Sequence, residues 1–399
     1  LKSVLARERP FDVAEDIIDF SFDAILSAAI GLKDTGGDID RQLSHLQAFD
    51  HSKLVSTDNV SPYEPISFPK PRKSPELLAL RVIEQSLWKG FYMPWPRLYH
   101  FVNNLRPSVQ NANRTLKTYI RTQTRNAASR LEEGEEPQSA LDYIIQREVR
   151  AAEKANREPH LEDPRVRDGV YGYLIAGHDT SSGSLTWLIR RLVAHPEEQA
   201  KIRASLRETY SVAWAEKRFP SAAELVQTAP YLDAFVEEVL RFNCPAVTIA
   251  VSTRRDTSIL GHAVPRDTAV FLNLTGPSLN MPSIAVDETL RSPTSQARRD
   301  MRPTWDDAEP TAFQPERWLS TDHTGKVTFN PRSGPTLSFS AGERGCWGKR
   351  LGYLELKVLL SLLVWAFSFG TVPEELGSWE TCDSLVTGPK HCFVQLSQL

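Results

Sequence analysis

Apolar residues recur three and four positions apart over most of the first 240 residues, and that spacing predicts helices. Between Phe11 and Ile30 they fall at Phe11, Ile17, Ile18, Phe22, Ile25 and Leu26, and Gly31 follows as a stop. Pro75–Trp88 carries Leu77, Leu78, Leu80 and Ile83 on one side. Val109–Leu131 is polar and rich in Arg and Asn, so it is expected to be mostly solvated, and Gly134–Pro137 breaks it. Leu141–Arg157 is a further amphipathic stretch. Arg165–His195 is the longest helix expected, opened by Pro164 and closed by Pro196. Helices follow over Pro196–Trp214 and Tyr231–Phe242. After Phe242 the period changes. Val247–Val251, Thr257–Leu260 and Ala269–Leu274 are β-branched runs punctuated by Gly261 and Pro265, which predicts a small sheet. Residues 56–75 and 276–335 are Pro-rich and read as connections. Cys346–Phe367 reads as an apolar helix and Cys392–Leu396 as a last strand. The fold class is mainly α with a minor β region.

Composition narrows the class. In 399 residues, 41% are hydrophobic and 24% charged, which is globular. With Lys+Arg 47 and Asp+Glu 50 the net charge is -3, which gives no electrostatic footprint for wrapping nucleic acid. The four cysteines, Cys244, Cys346, Cys382 and Cys392, form no C-x-x-C pair, so zinc-ribbon and thioredoxin-like chemistry lacks support. Cys382 and Cys392 are read as separate thiols. The most apolar run, Val358–Phe367, is shorter than the ~20 residues a membrane helix needs. The length alone admits two or three domains.

The strongest chemical signal is Phe339-Ser340-Ala341-Gly342-Glu343-Arg344-Gly345-Cys346-Trp347-Gly348. One cysteine opens a helix after a glycine-rich turn, where backbone amides and the helix dipole favour a thiolate. The glycines admit a bulky flat partner, and Arg344 can pair with a carboxylate on it. F-x-x-G-x-R-x-C-x-G resembles the haem-thiolate signature of the cytochrome P-450 superfamily, with Phe339, Gly342, Arg344, Cys346 and Gly348 at its fixed positions. The resemblance implies that Cys346 is the axial ligand of a haem iron. It further implies that Arg344 contacts a propionate and that Phe339 packs near the sulfur.

Ala176-Gly177-His178-Asp179-Thr180-Ser181 lies inside the long helix, whose Gly172, Gly177 and Gly183 each cost about 1 kcal/mol against Ala. It resembles the family's oxygen-activation motif, in which Gly177 makes room for a diatomic ligand and Asp179 and Thr180 relay protons. His178 between them is read as incidental. Glu238-Val239-Leu240-Arg241 resembles the family's E-x-x-R pair, and Phe313-Gln314-Pro315-Glu316-Arg317-Trp318 the later segment that joins it. Glu238, Arg241 and Arg317 are thereby expected to form a buried structural triad. One position departs. Ten residues after Arg241, where the family usually carries a propionate-binding Arg or His, stands Val251, with Arg254 and Arg255 close by.

By the same resemblance, Ala246, Val247 and Thr248, with Tyr173 or Ile175 and Val386, face an apolar substrate of terpenoid, steroid, polyketide or fatty-acyl type. The family reading is a monooxygenase that uses O2 and takes electrons from NADPH. No G-x-G-x-x-G or iron–sulfur cysteine set is present, so a separate reductase is implied, with cytochrome b5 as a second donor. Arg344, Lys349, Arg350 and Lys357 are expected to face it. The texture resembles fungal members acting in secondary metabolism. One catalytic domain, 1–399, is expected, lacking the family's N-terminal anchor, first sheet strands and first helices. Membrane contact is assigned to that anchor alone, placing the complete protein on the cytosolic face of the endoplasmic reticulum. Alternatives are a cytochrome P-450-fold isomerase, dehydratase or peroxygenase, and a truncated non-catalytic haem-binding protein. A cysteine hydrolase on Cys346 lacks a His or acid to complete it.

Overall fold

A computed structural model describes residues 1–6, 8–31, 36–50, 61, 63–282, 285–298, 309–383 and 385–399. Parts of both expected Pro-rich connections, at 56–60, 62, 283–284 and 299–308, lie outside the described residues. Prolines set the helix starts. Those opening at Pro75, Pro96, Pro107, Pro196 and Pro230 each place the ring in the first turn, where the missing N–H has no intrahelical acceptor to lose.

In chain order the first elements are α1 (Lys2–Ala6), β1 (Phe11–Asp12), α2 (Ala14–Ile30), α3 (Asp38–Ala48), α4 (Pro75–Phe91), α5 (Pro96–Asn103), α6 (Pro107–Glu132), α7 (Ala140–Lys154) and α8 (Pro164–Ala194). There follow α9 (Pro196–Thr209), α10 (Ser211–Ala215), α11 (Ala222–Leu225), α12 (Pro230–Phe242), β2 (Thr248–Ser252), β3 (Thr257–Ile259), β4 (His262–Val264), β5 (Ala269–Asn273), α13 (Pro277–Asn280) and α14 (Pro293–Gln296). The chain ends with β6 (Leu319–Thr321), β7 (Val327–Phe329), α15 (Lys349–Ala366), β8 (Phe367–Gly370), β9 (Thr381–Asp383), β10 (Thr387–Pro389) and β11 (Phe393–Gln398). The expected small sheet is instead two antiparallel hairpins, β2 with β5 and β3 with β4. A third hairpin, β6 with β7, lies in the stretch read as an irregular meander. Phe367, expected to end the apolar helix, begins β8.

The residues group into two units, one of Leu1–Thr186, Val372–Leu385 and Lys390–Leu396, the other of Trp187–Thr371, Val386–Pro389 and Ser397–Leu399. In the first, α2, α4, α6, α7 and the first part of α8 bury Phe22, Leu80, Leu116, Ile120, Leu141 and Leu174 in one cluster. Each such side chain contributes about 1.5–3 kcal/mol by leaving water. β1 pairs with β11 through Phe11↔Val394 and Asp12↔Phe393. In the second, α9, α12 and α15 pack on one another around Ile202, Phe235, Val239, Leu356 and Leu360. All four cysteines are free, Cys244 and Cys392 buried, Cys346 and Cys382 exposed.

Candidate functional site

The thiolate loop belongs to the second unit. Leu337 turns back as Ser340 N–H donates to its carbonyl at 2.7 Å. Gly342 then adopts φ +71°, a conformation that favours glycine, and Cys346 N–H donates to the Phe339 carbonyl at 2.8 Å. The loop therefore closes on its own backbone and presents Cys346, exposed, three residues before α15 begins. Trp347 is 96% exposed beside it, with Leu337, Leu351 and Leu354 partly open nearby in sequence. Arg344 is exposed and makes no ion pair among the described residues.

Below the loop lies a support that the sequence reading missed. The Phe339 ring sits 4.7 Å from that of Tyr353 on α15, and Lys349 Nζ lies 5.6 Å and 5.8 Å from the two rings. Tyr353 OH donates to Glu237, which is 2% exposed. Burial pushes the Glu237 carboxyl above its usual range, and burial with the Glu237 charge pushes the Tyr353 phenol up as well. Cys244, buried beside this turn, donates weakly to the carbonyls of Ala246 and Ser338, and burial pushes its thiol up to about 11. It is a packing thiol, unlike Cys346.

The acidic residue of E-x-x-R is enclosed. Arg241 Nε and Nη2 donate to Glu238 at 2.8 and 2.7 Å, Arg317 Nε at 3.1 Å and the Gln314 N–H at 2.8 Å. A fifth donor, Trp318 Nε1 at 2.9 Å, was not expected, though a buried indole N–H usually finds a partner. The spare Arg241 protons go to the carbonyls of Leu279, Pro310 and Ala312.

The 176–181 motif belongs to the first unit. No break interrupts the ladder of α8 at Gly177. A Cβ at Gly177 would lie 2.3 Å from Ile25 Cδ1 of α2, so this glycine serves close helix packing. Gly177→Val is expected to destabilise by about 1–3 kcal/mol in denaturant unfolding, with partial recovery when Ile25→Ala is added. Thr180 Oγ1 donates to the Ala176 carbonyl at 2.6 Å, and Ser182, Ser184 and Thr186 bond back along the same helix. His178 is not a bystander. It is 2% exposed, its Nδ1 lies 3.3 Å from Glu84 Oε1 of α4, its ring meets Phe22 edge-on, and its carbonyl accepts from Ser21 Oγ at 3.0 Å. No sequence signal points to this pairing, because Glu84 lies 94 residues away.

The residues assigned to substrate divide. Ala246, Val247 and Thr248 lead into β2 with Val247 42% exposed, whereas Val386 is buried. Thr387 N–H donates to the Pro245 carbonyl at 2.9 Å, which lays the two segments side by side. Val251 pairs with Val270 in the hairpin and offers no donor for a carboxylate, while Arg254 and Arg255 are exposed just beyond it. Lys357 does not belong with the exposed basic residues: it pairs with Asp233 at 2.7 Å and is 14% exposed.

Among the described residues no group of three or more His, Cys, Asp or Glu could hold a metal ion. A lone exposed thiol in an open glycine turn fits an iron whose other ligands come with a macrocycle, so the loop fits haem. Also among the described residues, no helix is long and apolar enough to cross a membrane.

The Cytochrome P-450 family model matches residues 70–281 and 303–395. The cytochrome P-450 monooxygenase cyp3.1 of Dothistroma septosporum is 37% identical over 273 residues, covering 65% of this chain and 86% of that relative. The cytochrome P-450 monooxygenase xilC of Penicillium rubens is 30% identical over 396 residues, 97% of this chain and 67% of the relative. The crystal structure of the cytochrome P-450DA heme domain superposes with a TM-score of 0.64 at 17% identity, covering 100% of this chain and 72% of that one. With the thiolate loop, the enclosed E-x-x-R carboxylate and these matches in hand, the chain belongs to the cytochrome P-450 family.

Proposed function

We propose that residues 1–399 act as one catalytic domain of a monooxygenase that oxidises an apolar small molecule of terpenoid, steroid, polyketide or fatty-acyl type, in fungal secondary metabolism. The observation that carries the reading is the exposed Cys346 in its self-closed turn. Cys346, with Arg344 toward a propionate and Phe339 packed near the sulfur, would hold haem, which would supply the activation of O2. Gly342 and Gly348 leave the space that a flat group needs, and the Phe339–Tyr353–Glu237 support keeps the loop from collapsing into it. Asp179 and Thr180 hold and pass protons, the Thr180 hydroxyl being ordered by the Ala176 carbonyl. Arg254 or Arg255 replaces the basic group absent at Val251. Ala246, Val247 and Thr248 line the substrate side, with Val386 supporting them from the core.

Electrons come from NADPH through a separate reductase, with cytochrome b5 as a second donor, docking over the exposed Arg344, Lys349 and Arg350. The location proposed with this reading is the cytosolic face of the endoplasmic reticulum membrane. The test is the absorption spectrum of the reduced, CO-treated chain, followed by turnover with reductase and labelled O2. A strongly red-shifted Soret band and one labelled oxygen per product are expected. A haem-loaded chain without that band overturns the reading, and product formed without reductase or O2 points to isomerase or dehydratase chemistry instead.

A further inference from the structure

α8 is weak in its own right where it carries residues 176–181. Gly177 and Gly183 lower its helix propensity. Thr180, Ser182 and Ser184 turn their hydroxyls back onto the carbonyls of Ala176, Asp179 and Thr180, which competes with the backbone ladder and lets a helix bend. The rotation of this turn about the helix axis must therefore be set by its neighbours.

α2 and α4 set it at His178. The His178 ring meets Phe22 of α2 edge-on at 5.7 Å, and the His178 carbonyl accepts from Ser21 Oγ at 3.0 Å. On the other side, Nδ1 lies 3.3 Å from Glu84 Oε1 of α4, while Nε2 has no hydrogen-bond partner. His178 and Glu84 are 2% and 8% exposed, so the pair sits within the apolar cluster that holds Phe22, Leu80 and Leu174. Apolar packing tolerates small rotations, whereas a hydrogen bond is directional and resists them.

Successive residues of a helix are turned by about 100°, so Thr180 projects about 200° from His178. A twist of about 20° that relaxed His178 would carry the Thr180 hydroxyl by about 1 Å. Misplacement of that size costs on the order of a hundredfold in rate.

We propose that His178 is a positioning residue: through Nδ1 to Glu84 it fixes the rotation of α8 that aims Asp179 and Thr180. The proposal rests on the reading of those two residues as a proton relay, and it adds a residue that acts from the opposite face of the helix.

The experiment uses variants that keep or displace the donor. Asn places its Nδ2 where the imidazole carries Nδ1, whereas Gln places its amide nitrogen where the imidazole carries Nε2. One readout is amide hydrogen exchange over residues 177–184 in the full chain as purified. The other is the infrared C–O stretch of the reduced, CO-treated chain, which senses polar groups beside the gas. His178→Gln and Glu84→Leu should each speed exchange by about tenfold and displace the C–O band. His178→Asn should keep both near wild type. His178→Leu with Glu84→Leu replaces the polar pair by an apolar one, so the denaturant midpoint should recover relative to Glu84→Leu while the band stays displaced. A purely structural role would restore band and midpoint together, and that result overturns the proposal. So does a His178→Gln chain with wild-type exchange and band, or an Asn variant no better than Gln. A chain that takes up no haem sinks the functional reading, and the exchange rates then decide the anchor by themselves.

Discussion

Glu238→Ala is expected to destabilise the second unit by about 3–5 kcal/mol, enough to leave little folded chain. The carboxylate receives five donors, and its loss takes away the charge to which Arg241, at 0%, and Arg317, at 3% side-chain exposure, both bond. The Trp318 indole loses its bond to Glu238 in the same step. Denaturant unfolding and haem content should fall together. Glu238→Gln keeps two polar atoms but not the charge, so it should rank between wild type and alanine. A Glu238→Ala chain of wild-type stability and full haem content would show that the cluster does not hold the fold.

Cys346→Ala should behave in the opposite way. Its side chain is exposed and has no hydrogen-bond partner among the described residues. The Phe339–Cys346 hydrogen bond uses only backbone and survives. Stability should therefore change by no more than about 0.5 kcal/mol. Oxygenation and the red-shifted Soret band should both disappear, because no other described residue of the turn offers a thiolate. Retained turnover in this variant would remove Cys346 from the chemistry. The pair of substitutions separates a residue that holds the fold from one that the fold leaves exposed.

Helices with a regular apolar stripe and a proline at the first turn were legible from spacing, as at Pro75, Pro196 and Pro230. So was the turn that carries Cys346, as local structure, because its glycines and cysteine are adjacent in the chain. α5 was not legible, since Asn103 turns inward to Ser86 while Leu98 and Phe101 stay exposed, against the rule used to find helices. The β6–β7 hairpin was hidden in Pro-rich sequence by strands of three residues each. Partners far apart in the chain left no local trace: Glu84 for His178, Glu237 for Tyr353 and Asp233 for Lys357. The last of these removed one lysine from the surface expected to meet a reductase. Gly177 was correctly singled out as costly, but the contact that accounts for it, Ile25, lies on another helix.

The Glu238 cluster also imposes an order on synthesis. Its donors Gln314, Arg317 and Trp318 follow it by 76 to 80 residues. At ribosomal speeds of roughly 5–20 residues per second, α12 waits about 4–16 seconds with its buried-to-be carboxylate met by Arg241 alone. Cys346 emerges only after that set is complete. A nascent chain therefore completes the donor set of Glu238 before it has a sulfur to offer, and a ribosome stalled between residues 242 and 314 would leave the carboxylate without three of the residues that bond it.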